Sequence, residues 1–199
     1  MSKIKLPHAS GNSMSIAAPV TNPASDLTLT LPTTTGTTGQ VLSVDGSGNL
    51  VWTDNTPMWF ARLNGNYGHG APNTWVDAQL ATEVFDTDGA FNTSTYKFTV
   101  PSGKAGKYVL YYQQQANDNP DDGENIQGRV LKNGSSLQYS NLIGISSGAN
   151  QTTIIGKSWV EPLAVGDELK MQLYQNDPGN TVTYNQYNTY FGGYRLIGG

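Results

Sequence analysis

From Trp59 onward the apolar side chains recur at every second position. "YKFTVP" puts Tyr96, Phe98 and Val100 on one face. "KYVLYYQQ" alternates Tyr108, Leu110 and Tyr112 with Val109 and Tyr111, and "LKMQLYQ" alternates Leu169, Met171 and Leu173 with Lys170, Gln172 and Tyr174. A period of two marks strands with one buried face. The runs are bounded by "PSGKAG", "KNGSS", "SSGAN", "LAVGD" and "NDPGN", turn-formers whose spacing predicts an all-β sandwich. Phe98, Tyr108, Leu110, Leu169, Met171, Leu173 and Phe191 are its expected core or oligomer interface.

Residues 1–57 read differently from 58–199. They hold few large apolar side chains and repeated Gly, Pro, Thr and Ser, so they lack the surface to fold alone and need a partner. "IAAPV", "LTLTLP" and "QVLSVDGSGNLVW" are predicted extended pieces. In the last, Asp45-Gly46 and Gly48-Asn49 close a tight connection between Val41–Val44 and Leu50–Trp52. Disorder is the alternative that composition leaves open.

The 199 residues suit one domain of about 140 residues plus an extension. Only 13% are charged and 37% apolar, a mixture for strands and turns rather than helices. Lys3 and Lys5 face Asp26, Asp45 and Asp54 in the first segment, and the whole chain carries a net charge of -4, which argues against nucleic acid as a partner. With no cysteine, disulfides and thiolate metal sites are excluded, in keeping with cytosolic assembly. No run approaches the ~20 apolar residues of a membrane span, and "MSKIKLPHASGNSM" lacks a signal-peptide core, so an unprocessed chain without membrane insertion is expected.

No catalytic constellation is expected. Gly144-Ile145-Ser146-Ser147-Gly148 matches G-x-S-x-G, but that nucleophile pattern needs a later histidine, and His8 and His69 both precede it. Neither histidine has metal-ligand spacing, and both read as solvated loop residues. The acidic run "NDNPDDGEN" could hold calcium, yet read as an EF-hand from Asp118 it puts Pro120 and Arg129 at ligand positions. A solvated loop with no cofactor is the expectation, with a calcium site of another kind left open.

Four motifs in order resemble the complement C1q and tumour-necrosis-factor family of jelly-roll domains over Trp59 to Ile197. They are Phe98-Thr99-Val100-Pro101 with Gly103, Gly106, Tyr108 and Leu110; Leu131-Lys132-Asn133-Gly134; Leu163 with Gly166-Asp167-Glu168-Leu169; and Tyr190-Phe191-Gly192-Gly193-Tyr194-Arg195-Leu196-Ile197. The resemblance implies a jelly roll of about ten strands assembling as a homotrimer, one sandwich face around the axis. Gly36 to Trp52 resembles a different element, the G-x-x-G-Q-V-L-x-x-D-G-x-G-N-L-x-W repeat of phage fibre and structural proteins. No collagen-like Gly-X-Y stalk is present, so complement-type partners are not carried over.

Strand parity places "PSGKAG", "KNGSS" and "LAVGD" at the base of the head, and the longer loops within 64–73, 114–125, 144–151 and 175–186 at the far tip. The expected recognition surface there comprises Tyr67, Asn117, Asp118, Asp121, Asp122, Asn176, Asp177, Tyr184 and Tyr187. Taken together, the resemblances imply a non-enzymatic bacteriophage protein on the virion surface, assembled in the host cytoplasm. Residues 1–57 would engage capsid or tail proteins, and the head would meet a host glycan or protein. A capsid decoration or short head fibre fits the short chain; a tail-fibre tip and a secreted C1q-like lectin are the alternatives.

Overall fold

The computed structural model describes residues 3–7, 9–17, 19–21, 23–26, 28–45, 47–54, 57–118, 124–145 and 152–196. It divides into two compact units, Met1–Asp54 and Asn55–Gly199.

The first unit holds two hairpins. In one, β1 (Lys3–Pro7) pairs antiparallel with β2 (Ser13–Ala17), setting Ile4 opposite Ile16. In the other, β3 (Gln40–Val44) pairs with β4 (Leu50–Asp54), setting Leu42 opposite Trp52. The Asp45 carboxylate accepts the backbone N–H groups of Ser47 and Asn49 and the Asn49 amide, which holds it below the usual carboxylate range and fastens the turn. Gly39 and Gly48 take φ of 90° and 87°, conformations that favour glycine. Gly36 lies under the Trp52 indole, where a Cβ would sit 2.6 Å from the ring, and Trp52 Nε1 donates to the Thr34 carbonyl at 2.9 Å. Gly36, Gly39 and Gly48 of the repeat thus each have a local cause, while Gly46 lies outside the described residues. "LTLTLP" departs from the expected strand: it supplies a single parallel bridge, Thr30 to Asn49, and Pro32 has no N–H with which to continue a ladder.

The second unit is a sandwich of two seven-stranded sheets. Its strands are β5 (Met58–Arg62), β6 (Tyr67–His69), β7 (Thr74–Asp77), β8 (Thr82–Asp86), β9 (Phe91–Asn92), β10 (Lys97–Thr99), β11 (Gly106–Asp118), β12 (Asn125–Lys132), β13 (Ser135–Ser136), β14 (Leu142–Ile145), β15 (Thr153–Leu163), β16 (Glu168–Gln175), β17 (Val182–Tyr184) and β18 (Tyr190–Arg195). One sheet runs β6-β17-β11-β18-β5-β8 with β15 also on β11; the other runs β13-β12-β16-β10-β9 with β14 on β12 and β7 on β16. Pieces of two or three residues account for the excess over ten strands.

The alternation is realised closely. Phe98, Tyr108, Leu110, Leu169, Met171, Leu173 and Phe191 are all fully buried within the single chain. At their centre the Trp59 ring stacks on Phe98 with centroids 3.6 Å apart and meets Phe191 edge-on at 5.7 Å. Gly193 makes room for it, since a Cβ there would lie 2.5 Å from Trp59 Cη2. Tyr112 ties the two sheets together, its hydroxyl donating to the carbonyls of Gly128 and Ser140. Tyr96 departs from the expected face: its φ of 58° takes it out of the pleat before β10 begins.

Candidate assembly face and distal loops

Because Trp59 and Ala61 point into the core, their neighbour Phe60 points out of the sheet. It gathers an aromatic group on the solvent face, with Tyr190 at 5.1 Å, Phe85 at 6.1 Å and Tyr111 at 6.4 Å between ring centroids. Gly192 lies beneath this group, so close that a Cβ would fall 2.6 Å from the Tyr111 hydroxyl oxygen. Val84, Phe85, Val160 and Tyr194 are 42–53% exposed on the same sheet. A patch of this kind on a single chain marks an interaction surface.

The turns expected at the base do meet. Asn133 Nδ2 donates to Asp167, Lys132 forms an ion pair with Asp167 at 3.0 Å, and Gly166 N–H donates to the Val100 carbonyl. Burial works to raise the Asp167 pKa, but the Ala164 N–H, the Asn133 amide and the Lys132 ammonium together hold it lowered.

At the opposite end, Asn125 and Asn176 exchange hydrogen bonds through the Asn125 N–H, the Asn176 Oδ1, the Asn176 N–H and the Asn125 carbonyl. Asn176 is therefore a half-buried loop tie. Asp177 is fully buried and accepts Gly179 N–H, Asn180 N–H and Asn180 Nδ2. Tyr184 is also fully buried, donating to the Tyr174 carbonyl, and burial pushes its phenol upward. These two correct the expected recognition surface: their polar groups close the loop and strand and cannot meet a partner. Asn117 is half-buried and accepts Gln115 Nε2. Asp118 ends β11 in register with Thr183, while Asp121 and Asp122 lie outside the described residues. Tyr67 is half-buried on β6, and Tyr187 is 63% exposed, with the Arg62 guanidinium 5.1 Å from its ring centroid.

His69 is a second correction. Expected as a loop residue, it is buried on β6, with Nε2 3.1 Å from the Thr74 carbonyl and its own carbonyl accepting Gln175 Nε2. Burial lowers its pKa. His8 and the Ser146-to-Gly148 part of G-x-S-x-G lie outside the described residues, and among the described residues no three His, Asp or Glu side chains group as metal ligands.

One surface cluster escaped the sequence reading. On the outward face of the other sheet the Arg129 guanidinium stacks 4.0 Å from the Trp75 ring centroid, and its Nε and Nη2 donate to Gln172 Oε1. Only the register of β7, β16 and β12 brings these residues together.

No family model matches the chain, and neither does any curated protein. Among solved structures, the globular domain of zebrafish complement 1qA is 13% identical with a TM-score of 0.51, covering 71% of this chain and 98% of that one. Murine APRIL is 14% identical with a TM-score of 0.52, covering 70% and 98%. At such identities the likeness is one of fold, and the head has the C1q/TNF-like jelly-roll fold.

Proposed function

We propose that this chain is a non-enzymatic, homotrimeric surface protein of a bacteriophage particle, most specifically a capsid decoration protein or short head fibre. The observation that carries the reading is the exposure of the first unit's apolar side chains. Ile4, Ile16 and Val44 on the two hairpins, and Val20, Leu29 and Leu31 between them, are 58–92% open to solvent among the described residues. Such a surface suits strand addition or groove packing on a shell protein. The Gly36-to-Trp52 repeat supports a phage particle as the place. The aromatic face around Phe60 supports trimerisation of the head, which would multiply three weak anchors into one durable attachment.

Light scattering on the full chain and on the chain starting at Pro57 tests the assembly. A trimer in both is expected; a monomeric head would overturn assembly through the Phe60 face. Sedimentation with expanded phage capsids tests the anchor. The full chain should co-sediment and the head alone should not, whereas co-sedimentation with isolated tails only would favour the tail-fibre alternative.

A further inference from the structure

A cleft of about 250 Å³ opens beside the start of β6, lined by Asn64, Asn66, Tyr67, Gln79 and Tyr96 together with small and aliphatic neighbours. No lining side chain carries a charge. Two amides are fixed by their oxygens: Asn64 Oδ1 accepts the Thr82 hydroxyl, and Asn66 Oδ1 accepts Gln186 N–H, each at 3.0 Å. The Tyr67 and Tyr96 hydroxyls and the Gln79 amide make no hydrogen bond to another described residue. The wall therefore presents two aromatic rings and several uncommitted polar groups to one small space.

Tyr96 gives a reason to regard this as a built site. The turn that delivers it is closed by Tyr96 N–H donating to the Asn92 carbonyl at 2.7 Å, with Asn92 Oδ1 accepting Ser94 and Thr95 N–H. Its last residue sits at φ of 58°, where glycine or asparagine would rest without strain and a bulky side chain is an outlier. The backbone does not ask for tyrosine; the cleft uses one.

We infer that this cleft binds a neutral saccharide, one sugar ring against the Tyr67 and Tyr96 faces with its hydroxyls on the amides and phenols. The volume lies below the roughly 300–1,000 Å³ of larger ligand sites, which fits a single ring. Rings and neutral hydrogen-bonding groups match the apolar faces and polar rim of a sugar. An anionic sugar is disfavoured because no lining side chain supplies a positive charge to pair with it. The inference relies on the reading of the head as a displayed domain only for the source of the sugar.

Saturation-transfer NMR on the full chain with glucose, galactose, N-acetylglucosamine and sialic acid tests it. At least one neutral sugar should bind through its ring protons, with sialic acid weaker. Tyr96→Asn, which keeps a residue tolerant of that φ, should lower affinity about tenfold, the loss of one ring contact, with no fall in melting temperature. Gln79→Ala, at an exposed position, should weaken binding a few-fold and decides the matter if Tyr96→Asn does not fold. No binding by any neutral sugar, preference for sialic acid, or full affinity in the folded variants would overturn the inference. None of these outcomes bears on trimerisation or capsid attachment, which are read separately.

Discussion

Trp52 and Trp59 are close in sequence and belong to different physical regimes. Trp52 sits on Gly36, donates one hydrogen bond to a nearby carbonyl and remains 37% exposed. Trp59 is fully buried, stacked on Phe98 and edge-on to Phe191. The first unit is thus shaped by local devices, positive-φ glycines and an aspartate-closed turn, while the head is held by apolar area shared between two sheets. A hairpin with no second layer can define a conformation but cannot bury its own side chains. That difference is what separates a first unit with exposed apolar side chains from a head with a closed core.

The largest expected effect contrasts the two tryptophans directly. Trp59→Ala should cost about 3–5 kcal/mol, read as a fall in the urea midpoint of the head, because it removes transfer energy and leaves a cavity. Trp52→Ala should leave that midpoint unchanged; an equal fall would break the comparison. The glycines give a second pair. Gly193→Ala would set its Cβ 2.5 Å from Trp59 Cη2 and 2.8 Å from the Val109 carbonyl oxygen, costing about 1–3 kcal/mol by overpacking. Gly36→Ala meets only the Trp52 ring, and should alter Trp52 fluorescence without moving the head's unfolding.

Acid should sharpen the contrast further. Buried His69 has a folded pKa below its usual 6.5, so the unfolded chain binds the proton more readily. The stability this histidine supports is present above about 6.5 and is lost as pH falls through that value toward the folded pKa. Thermal scans between pH 8 and 5 should show the head's melting temperature declining on the acid side, and His69→Gln should flatten that slope. Asp77, lowered by Lys170 and Gln172 against burial, adds a loss only as pH falls through the carboxylate range. The smallest effect is expected at the Lys97–Glu168 pair, 2.7 Å apart and one-third to one-half exposed, where Lys97→Ala should change the midpoint by no more than about 1 kcal/mol. A larger loss would mean that surface charge, as well as the core, holds the head.

The head was legible because every second residue of β11 and β16 faces a core, and a period of two survives in the one-dimensional text. The base turns were legible for a related reason: Asn133-Gly134 and Gly166-Asp167 carry their turn chemistry in their own residues. The recognition surface was read less well. Asp177 and Tyr184 looked like loop-tip groups, and only the packing of that end shows their polar atoms turned inward. His69 was misread likewise, since a three-residue strand next to glycines has no periodicity to reveal it. The cleft joins Tyr67 at the start of β6 to Tyr96 in the turn before β10, and no spacing rule connects them.

By itself the sequence determined the inward sets of β11 and β16, the base turns and the division between a core-poor start and a core-rich head, because these follow from nearest-neighbour chemistry and pleat parity. Tertiary structure alone decided which outward side chains meet. The Phe60 aromatic group, the Arg129–Trp75 stack and the Tyr67–Tyr96 cleft each depend on strand register and turn backbone, which bring together residues far apart along the chain.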